Sequence, residues 1–148
     1  MSKKKITILI AAAVLIIAGV ISYMIFFREK ESENRVIIDL GGKTFRAVMY
    51  DNKTADEFIS RLPLTIEMNE LNGNEKYYNF QSSFTTHNKP AGRIHSGDLK
   101  IYDDNCLVLF YDSFTSGYSY TSIGYISDTD GLAEVLGKGK VTVSFSLE

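Results

Sequence analysis

The chain has 148 residues, of which 45% are hydrophobic and 23% charged, with two Pro, one Cys and no Trp. This length suits one ordinary domain and excludes a large multidomain enzyme, and the composition excludes the disordered, collagen-like and disulfide-rich classes. A net charge of −2 gives no indication of a nucleic-acid partner.

The N-terminal part contains an apolar run without a charge, residues 6–27. A helix of that length spans roughly 33 Å, which matches a hydrocarbon core of about 30 Å. Lys occupies positions 3–5, and positive charge near a first helix favours the cytoplasmic side. We therefore predict a cytoplasmic tail (1–5), a transmembrane signal-anchor (6–27), a charged linker (28–34) and an extracytoplasmic domain (35–148). The protein is thus predicted to be a single-pass protein of the cell membrane.

A cleaved signal peptide is the alternative for this segment, and Val20 and Ser22 would supply its cleavage site. The apolar core of a signal peptide is usually about 7–15 residues, and cleavage here would leave residues 23–27 as an apolar stub. The length therefore favours an uncleaved anchor. The part beyond residue 27 carries a net charge of −5, which argues against nucleic acid or an anionic lipid surface as its partner.

The outer domain opens with alternating apolar residues at 36–40 and 45–49, separated by Gly41-Gly42, which predicts a β-hairpin. Residues 54–57 have the capping-box pattern of a short helix, which Pro63 would end. Residues 64–68 are predicted to be a strand.

The polar stretch 69–92 shows little periodicity and is predicted to be one long loop. Further elements are predicted from apolar patterning and turn residues. They are strands at 99–102 and 106–111 joined by a turn at 103–105, a strand at 118–126, a helix at 132–136 ended by Gly137, and a strand at 141–147. Seven strands and two short helices predict a mainly β domain, as a closed antiparallel barrel or a sandwich.

Several short segments occur in a familiar order and together resemble the bacterial cyclophilin-like family, over about residues 35–147. They are Leu62-Pro63-Leu64-Thr65, Leu71-Asn72-Gly73-Asn74-Glu75-Lys76-Tyr77, Gly97-Asp98-Leu99, Leu107-Val108-Leu109-Phe110-Tyr111, Ser119-Tyr120-Thr121 and Ile123-Gly124-Tyr125-Ile126. The resemblance implies a cyclophilin-like closed antiparallel barrel of eight strands with two helices.

The isomerase activity of true cyclophilins does not follow from this resemblance. Their pattern has a Phe-x-Met stretch running into Gln-Gly-Gly-Asp, and only Gly97-Asp98 matches its end here. The chain also lacks the Trp that often lines the proline pocket. No catalytic residue is therefore predicted, and a weak peptidyl-prolyl isomerase acting on exported proteins, dependent on Arg93, remains the alternative.

Metal and thiol chemistry find little support in the sequence. His87 and His95 lack the accompanying ligands of a zinc site, so neither a metal nor a cofactor is predicted. Cys106 begins an apolar run of strand type, 106–110, and is interpreted as a buried hydrophobe rather than a nucleophile.

Aromatic residues provide the most informative pattern, since Tyr combines a large contact area with a hydrogen-bonding tip. Core filling is the competing interpretation. The candidate ligand-binding residues are Asn72, Tyr77, His87, Arg93, Tyr118 and Tyr120. The predicted function is a membrane-anchored, non-catalytic module that binds a peptide or small ligand. A structural subunit of an envelope complex is a third possibility.

Overall fold

The computed structural model describes residues 12–24 and 35–148. The chain divides into two units, residues 1–33 and 34–148. In the first unit, residues 12–24 form helix α1, and all of its side chains are exposed. Among the described residues, no helix is both long enough and apolar enough to cross a membrane. The predicted tail and linker, and both ends of the predicted anchor, lie outside the described residues.

The second unit is mainly β, as predicted, with nine strands and two short helices in residues 35–148. The strands are β1 Arg35–Leu40, β2 Lys43–Met49, β3 Leu64–Leu71, β4 Glu75–Asn79, β5 Lys89–Ile94, β6 Asp98–Tyr102, β7 Cys106–Phe110, β8 Phe114–Ile126 and β9 Val141–Leu147. The helices are α2 Lys53–Ile59 and α3 Leu132–Leu136.

The nine strands form one sheet in the order β2-β1-β9-β3-β4-β7-β6-β8-β5. Neighbouring strands pair antiparallel throughout this order. Strand β8 also pairs with β2, through residues that include Ile126 opposite Ala47. Strand β8 therefore has three partners: β6, β5 and β2.

The elements with clean patterning were predicted correctly. Strands β1 and β2 form a hairpin with Leu40 opposite Lys43, and Gly41 and Gly42 provide its turn with positive φ angles of 67° and 100°. Strands β6 and β7 pair across the predicted turn, and α3 ends before Gly137.

The predicted long loop at 69–92 is wrong. Strand β3 continues to Leu71 and pairs with β4 across a three-residue turn in which Asn72 and Gly73 both have positive φ. Strand β5 begins at Lys89 and pairs with β8. Both faces of β4 contact other parts of the domain, so its sequence lacks the alternation that marks a strand with one exposed face.

The predicted capping box is also wrong. The cap of α2 is Asn52, whose side-chain oxygen accepts a hydrogen bond of 2.9 Å from the amide of Ala55. Thr54 donates instead to the carbonyl of Thr85, and the Glu57 carboxylate accepts two hydrogen bonds of 2.7 Å from Thr85. The box residues therefore attach α2 to the segment between β4 and β5.

The core has two parts, and strand β7 contributes to both. Leu107 and Leu109 belong to the larger cluster, which includes residues from β1, β2, β3 and β9. Cys106, Val108 and Phe110 belong to a smaller cluster with residues of β5 and β8. Every residue of β7 is buried, because each of its faces is covered.

An ion pair is buried near the β3–β4 hairpin. The Lys76 side chain is fully buried, and its ammonium group donates to the Glu70 carboxylate and to the carbonyls of Gly137 and Gly139, at 3.0 and 2.6 Å from the latter two. Glu70 also accepts a hydrogen bond of 2.6 Å from the Tyr111 hydroxyl. This network connects β3, β4, the residue after β7 and the loop after α3.

Replacing Glu70 by alanine should lower the free energy of unfolding by about 3–5 kcal/mol, because it leaves the Lys76 charge buried without a counter-charge. Chemical denaturation followed by tyrosine fluorescence would measure the change. Lys140→Ala breaks an exposed ion pair with Glu67 and is the control, with little expected effect.

The loss of stability caused by Glu70→Ala should also depend on pH. Burial raises the pKa of Glu70, but hydrogen bonds from Lys76 and Tyr111 outweigh it and hold the pKa below its usual value. A lowered pKa stabilises the fold above the unfolded-state value of about 4.3, and this contribution is lost as the pH falls through the folded-state pKa. A difference between wild type and Glu70→Ala that persists unchanged in acid would contradict the assignment.

Candidate functional site

A cavity of about 660 Å³ lies beside the face of β7 that carries Cys106 and Val108. Strand β4 and the turn before it provide one wall, through Glu75 and Tyr77 among others. The first part of β8 provides the facing wall, from Phe114 onward. This volume is within the range of small-molecule and peptide sites.

The length of β8 explains why the cavity exists. The residues of β8 from Tyr120 onward pair with β6, where Tyr120 lies opposite Tyr102. The final residues of β8 also pair with β2. Residues 114–119 pair with β5 alone. The two-stranded ribbon of β5 and the start of β8 therefore covers the second face of β7, and the cavity is the space that its side chains leave unfilled.

Aromatic rings form a connected series along this wall. Tyr118 contacts Tyr102 with ring centroids 6.1 Å apart, and Tyr102 contacts Tyr120 at 5.5 Å. Tyr120 in turn contacts Phe110 at 5.6 Å, and Phe110 contacts Phe114 at 5.8 Å. Tyr118 is 65% exposed and Tyr120 only 7% exposed, so the series runs from solvent into the interior.

Glu75 is the charged residue most deeply placed in this cavity. It is 7% exposed, and no group of the described part of the chain hydrogen-bonds to its carboxyl. Burial, and then the nearby charge of Glu70, raise the pKa of Glu75. The neighbouring Asn74 also lines the cavity, and its side-chain oxygen is buried without a hydrogen-bond partner in the described structure.

The described lining contains acidic but no basic side chains. Glu75 and Asp103 are its acidic residues, and no Lys, Arg or His is among the described residues that line this cavity. Cys106 also lies here, and burial, together with the charge of Glu75, raises the pKa of its thiol to about 11. The thiol is therefore protonated at neutral pH, as expected for a buried hydrophobe.

A second cavity of about 320 Å³ is basic and rich in hydroxyl groups, and Tyr120 lines both cavities. Lys53, Lys89 and Lys100 contribute to it. The Lys100 ammonium group is already paired, with the Asp98 carboxylate at 3.3 Å and the Ser122 hydroxyl at 2.9 Å.

The structure brings together part of the predicted site. Four of the six candidates line the larger cavity: Asn72, Tyr77, Tyr118 and Tyr120. His87 lines the second cavity, where its amide donates to the hydroxyl of Thr121 at 2.9 Å. Arg93 is exposed on β5 and lines neither cavity.

Sequence reasoning missed Glu75, Asn74 and Tyr102. The segment from Leu71 to Tyr77 had been noted for the family resemblance, but a charged residue in a polar stretch is normally exposed. Within residues 12–24 and 35–148, no three His, Cys, Asp or Glu residues form a group that could hold a metal ion.

Replacing Glu75 by glutamine should stabilise the domain at neutral pH, because the amide has no charge to desolvate. A raised pKa means that the protonated carboxyl favours the fold, and that this contribution is lost as the pH rises through the folded-state pKa. The stability gain of Glu75→Gln should therefore shrink as the pH is lowered. Denaturant unfolding at several pH values tests this, with the exposed Glu134→Gln as the control. A Glu75→Gln variant less stable at neutral pH would mean that the carboxylate has a favourable partner.

Comparison with known proteins agrees with the architecture. The model of the cyclophilin-like family matches residues 38–146. No curated protein matches the chain. Among solved structures, the solution structure of a hypothetical protein from Archaeoglobus fulgidus is similar, with 18% identity and a TM-score of 0.56 over 80% of this chain and 97% of that chain. At that identity the similarity shows the fold alone. Because the family model covers well over half of the sequence, the chain belongs to the cyclophilin-like family.

Proposed function

We propose that this protein is a membrane-anchored, extracytoplasmic member of the family that binds a peptide or small ligand in the cavity between β4, β7 and β8, without catalysis. The observation that carries the proposal is the series of aromatic rings that leads from the exposed Tyr118 to the buried Tyr120. A concave apolar site with a few polar groups is the usual form of a ligand pocket.

Two observations favour binding over catalysis. Arg93, on which the isomerase alternative depends, lines neither cavity. The thiol of Cys106 lies in the larger cavity, but its pKa of about 11 leaves it without nucleophilic character at neutral pH.

The pairing of β8 with β2 supports a closed barrel. The eight strands from β2 to β8 in the sheet order would form a ring through that pairing, and β5 would lie outside it. Closure removes the exposed edges of a sheet, and a closed barrel provides a firm base for the cavity.

The anchor is supported by the composition of residues 6–27 and by α1 within it. Its apolar side chains are exposed, among them Leu15 and Ile16 at 74% and 67%. A helix that is apolar on all sides requires an apolar environment, and the three preceding Lys residues favour an orientation with the domain outside the cell.

A benzophenone amino acid at position 118 should cross-link to the ligand on intact cells, because Tyr118 stands at the open end of the cavity. Mass spectrometry of the purified protein would identify the adduct. The same amino acid at position 125 is the control, since Tyr125 is exposed but lines neither cavity. Adducts that form equally at both positions, or at neither, would remove the support for a site in this cavity.

Membrane orientation can be tested by cysteine labelling. The native Cys106 is buried with a raised pKa, so the background should be low. An impermeant maleimide should label Lys138→Cys on intact cells, and Ser2→Cys only after permeabilisation. The reverse pattern would place the domain inside the cell.

A further inference from the structure

We propose that the ligand of the larger cavity carries a cationic group with N–H donors, a primary ammonium in the first instance, which binds the Glu75 carboxylate. This inference rests on the proposed function, since it specifies the chemistry of the same site. It does not depend on the membrane anchor.

The carboxyl of Glu75 lacks a hydrogen-bond partner among the described residues. Its side chain lies in a cavity wall, is more than nine-tenths buried and has no hydrogen-bond partner in the described structure. Buried carboxylates are normally paired or hydrogen-bonded, because an unpaired charge in a medium of low dielectric is unfavourable. A cationic ligand would provide the missing partner.

No described basic residue of the domain pairs with Glu75 in place of a ligand. Lys76 follows directly in the chain, but successive residues of a strand point to opposite faces, and its ammonium group is held by Glu70 and two loop carbonyls. Lys100 is paired with Asp98 and lines the other cavity. No basic residue of the described part of the chain lines the larger cavity, so none neutralises its acidic side chains.

The side chains around Glu75 also favour the binding of a cation. Tyr77 and Tyr120 line the same cavity as Glu75. Aromatic faces attract cations, and the attraction is stronger when the site is desolvated. A carboxylate that lacks a hydrogen-bond donor favours a primary ammonium group over a quaternary one, because a quaternary group has no N–H to donate.

The test measures binding of three matched probes to the full chain in a non-ionic detergent, by calorimetry. The probes are 1,4-diaminobutane, its fully N-methylated bis-quaternary analogue and 1,4-butanediol. We expect the diamine to bind, the quaternary analogue to bind more weakly and the diol not to bind. Glu75→Gln should weaken diamine binding at least about tenfold, since a charge-assisted hydrogen bond is worth about 1.5–3 kcal/mol.

Glu134→Gln is the matched control and should bind the diamine as the wild type does, because Glu134 is exposed on α3. Loss of fold cannot explain a loss of binding in Glu75→Gln, since that variant is expected to be the more stable protein, and its denaturation curve would verify this. Equal binding by Glu75→Gln and wild type, equal binding of the quaternary probe, or no diamine binding would each overturn the inference.

These results are separable from those that test the proposed function. If position 118 cross-links a ligand while the diamine does not bind, the cavity is a binding site for a different chemistry. If neither occurs, both proposals fail. Cross-linked peptides rich in Lys would distinguish a peptide source of the ammonium group from a free amine.

Discussion

The alternation of side chains along β4 places two consecutive buried charges in opposite surroundings. Lys76 points to the side where Glu70 and the loop after α3 surround its ammonium group. Glu75 lines the cavity, and no described residue hydrogen-bonds to its carboxyl there. A strand cannot turn one of these residues without turning the other, because its side chains repeat every two residues. The ion pair that fixes β4 in the sheet thus also fixes an unpaired carboxylate in the cavity wall.

The elements that sequence reasoning identified are those whose patterning reflects one covered face. Strands β1, β2 and β9 alternate because one side is in the core and the other is not. Strand β4 was missed because both of its sides are covered, and β5 because Pro90 and Gly92 interrupt it at a shift of register. Local patterning alone does not distinguish a barrel from a sandwich, and the family resemblance implies the barrel.

The aromatic part of the candidate site was predictable, and of its polar part only Asn72 was. Tyr77, Tyr118 and Tyr120 stood out as large amphipathic residues, and the structure brings them to one cavity. Glu75 becomes buried only because β4 pairs with β7, where Phe110 lies opposite it. Such a partner is 35 positions away in the sequence, and no local signal indicates it. His87 and Arg93 were grouped with the tyrosines because of composition and the length of the predicted loop at 69–92; the structure places His87 between β4 and β5 and Arg93 on β5.

The continuity of β8 determines how the cavity can work. The same strand covers the cavity at its beginning and pairs with β6 and β2 at its end, without a loop between the two parts. Because no loop separates the two parts, a movement of the cover would require β8 itself to bend, together with β5, which pairs with its beginning. For the proposed ligand site, this continuity predicts a cavity whose width changes little on binding. Selection among ligands would depend on size and charge at the entrance rather than on closure around a bound molecule.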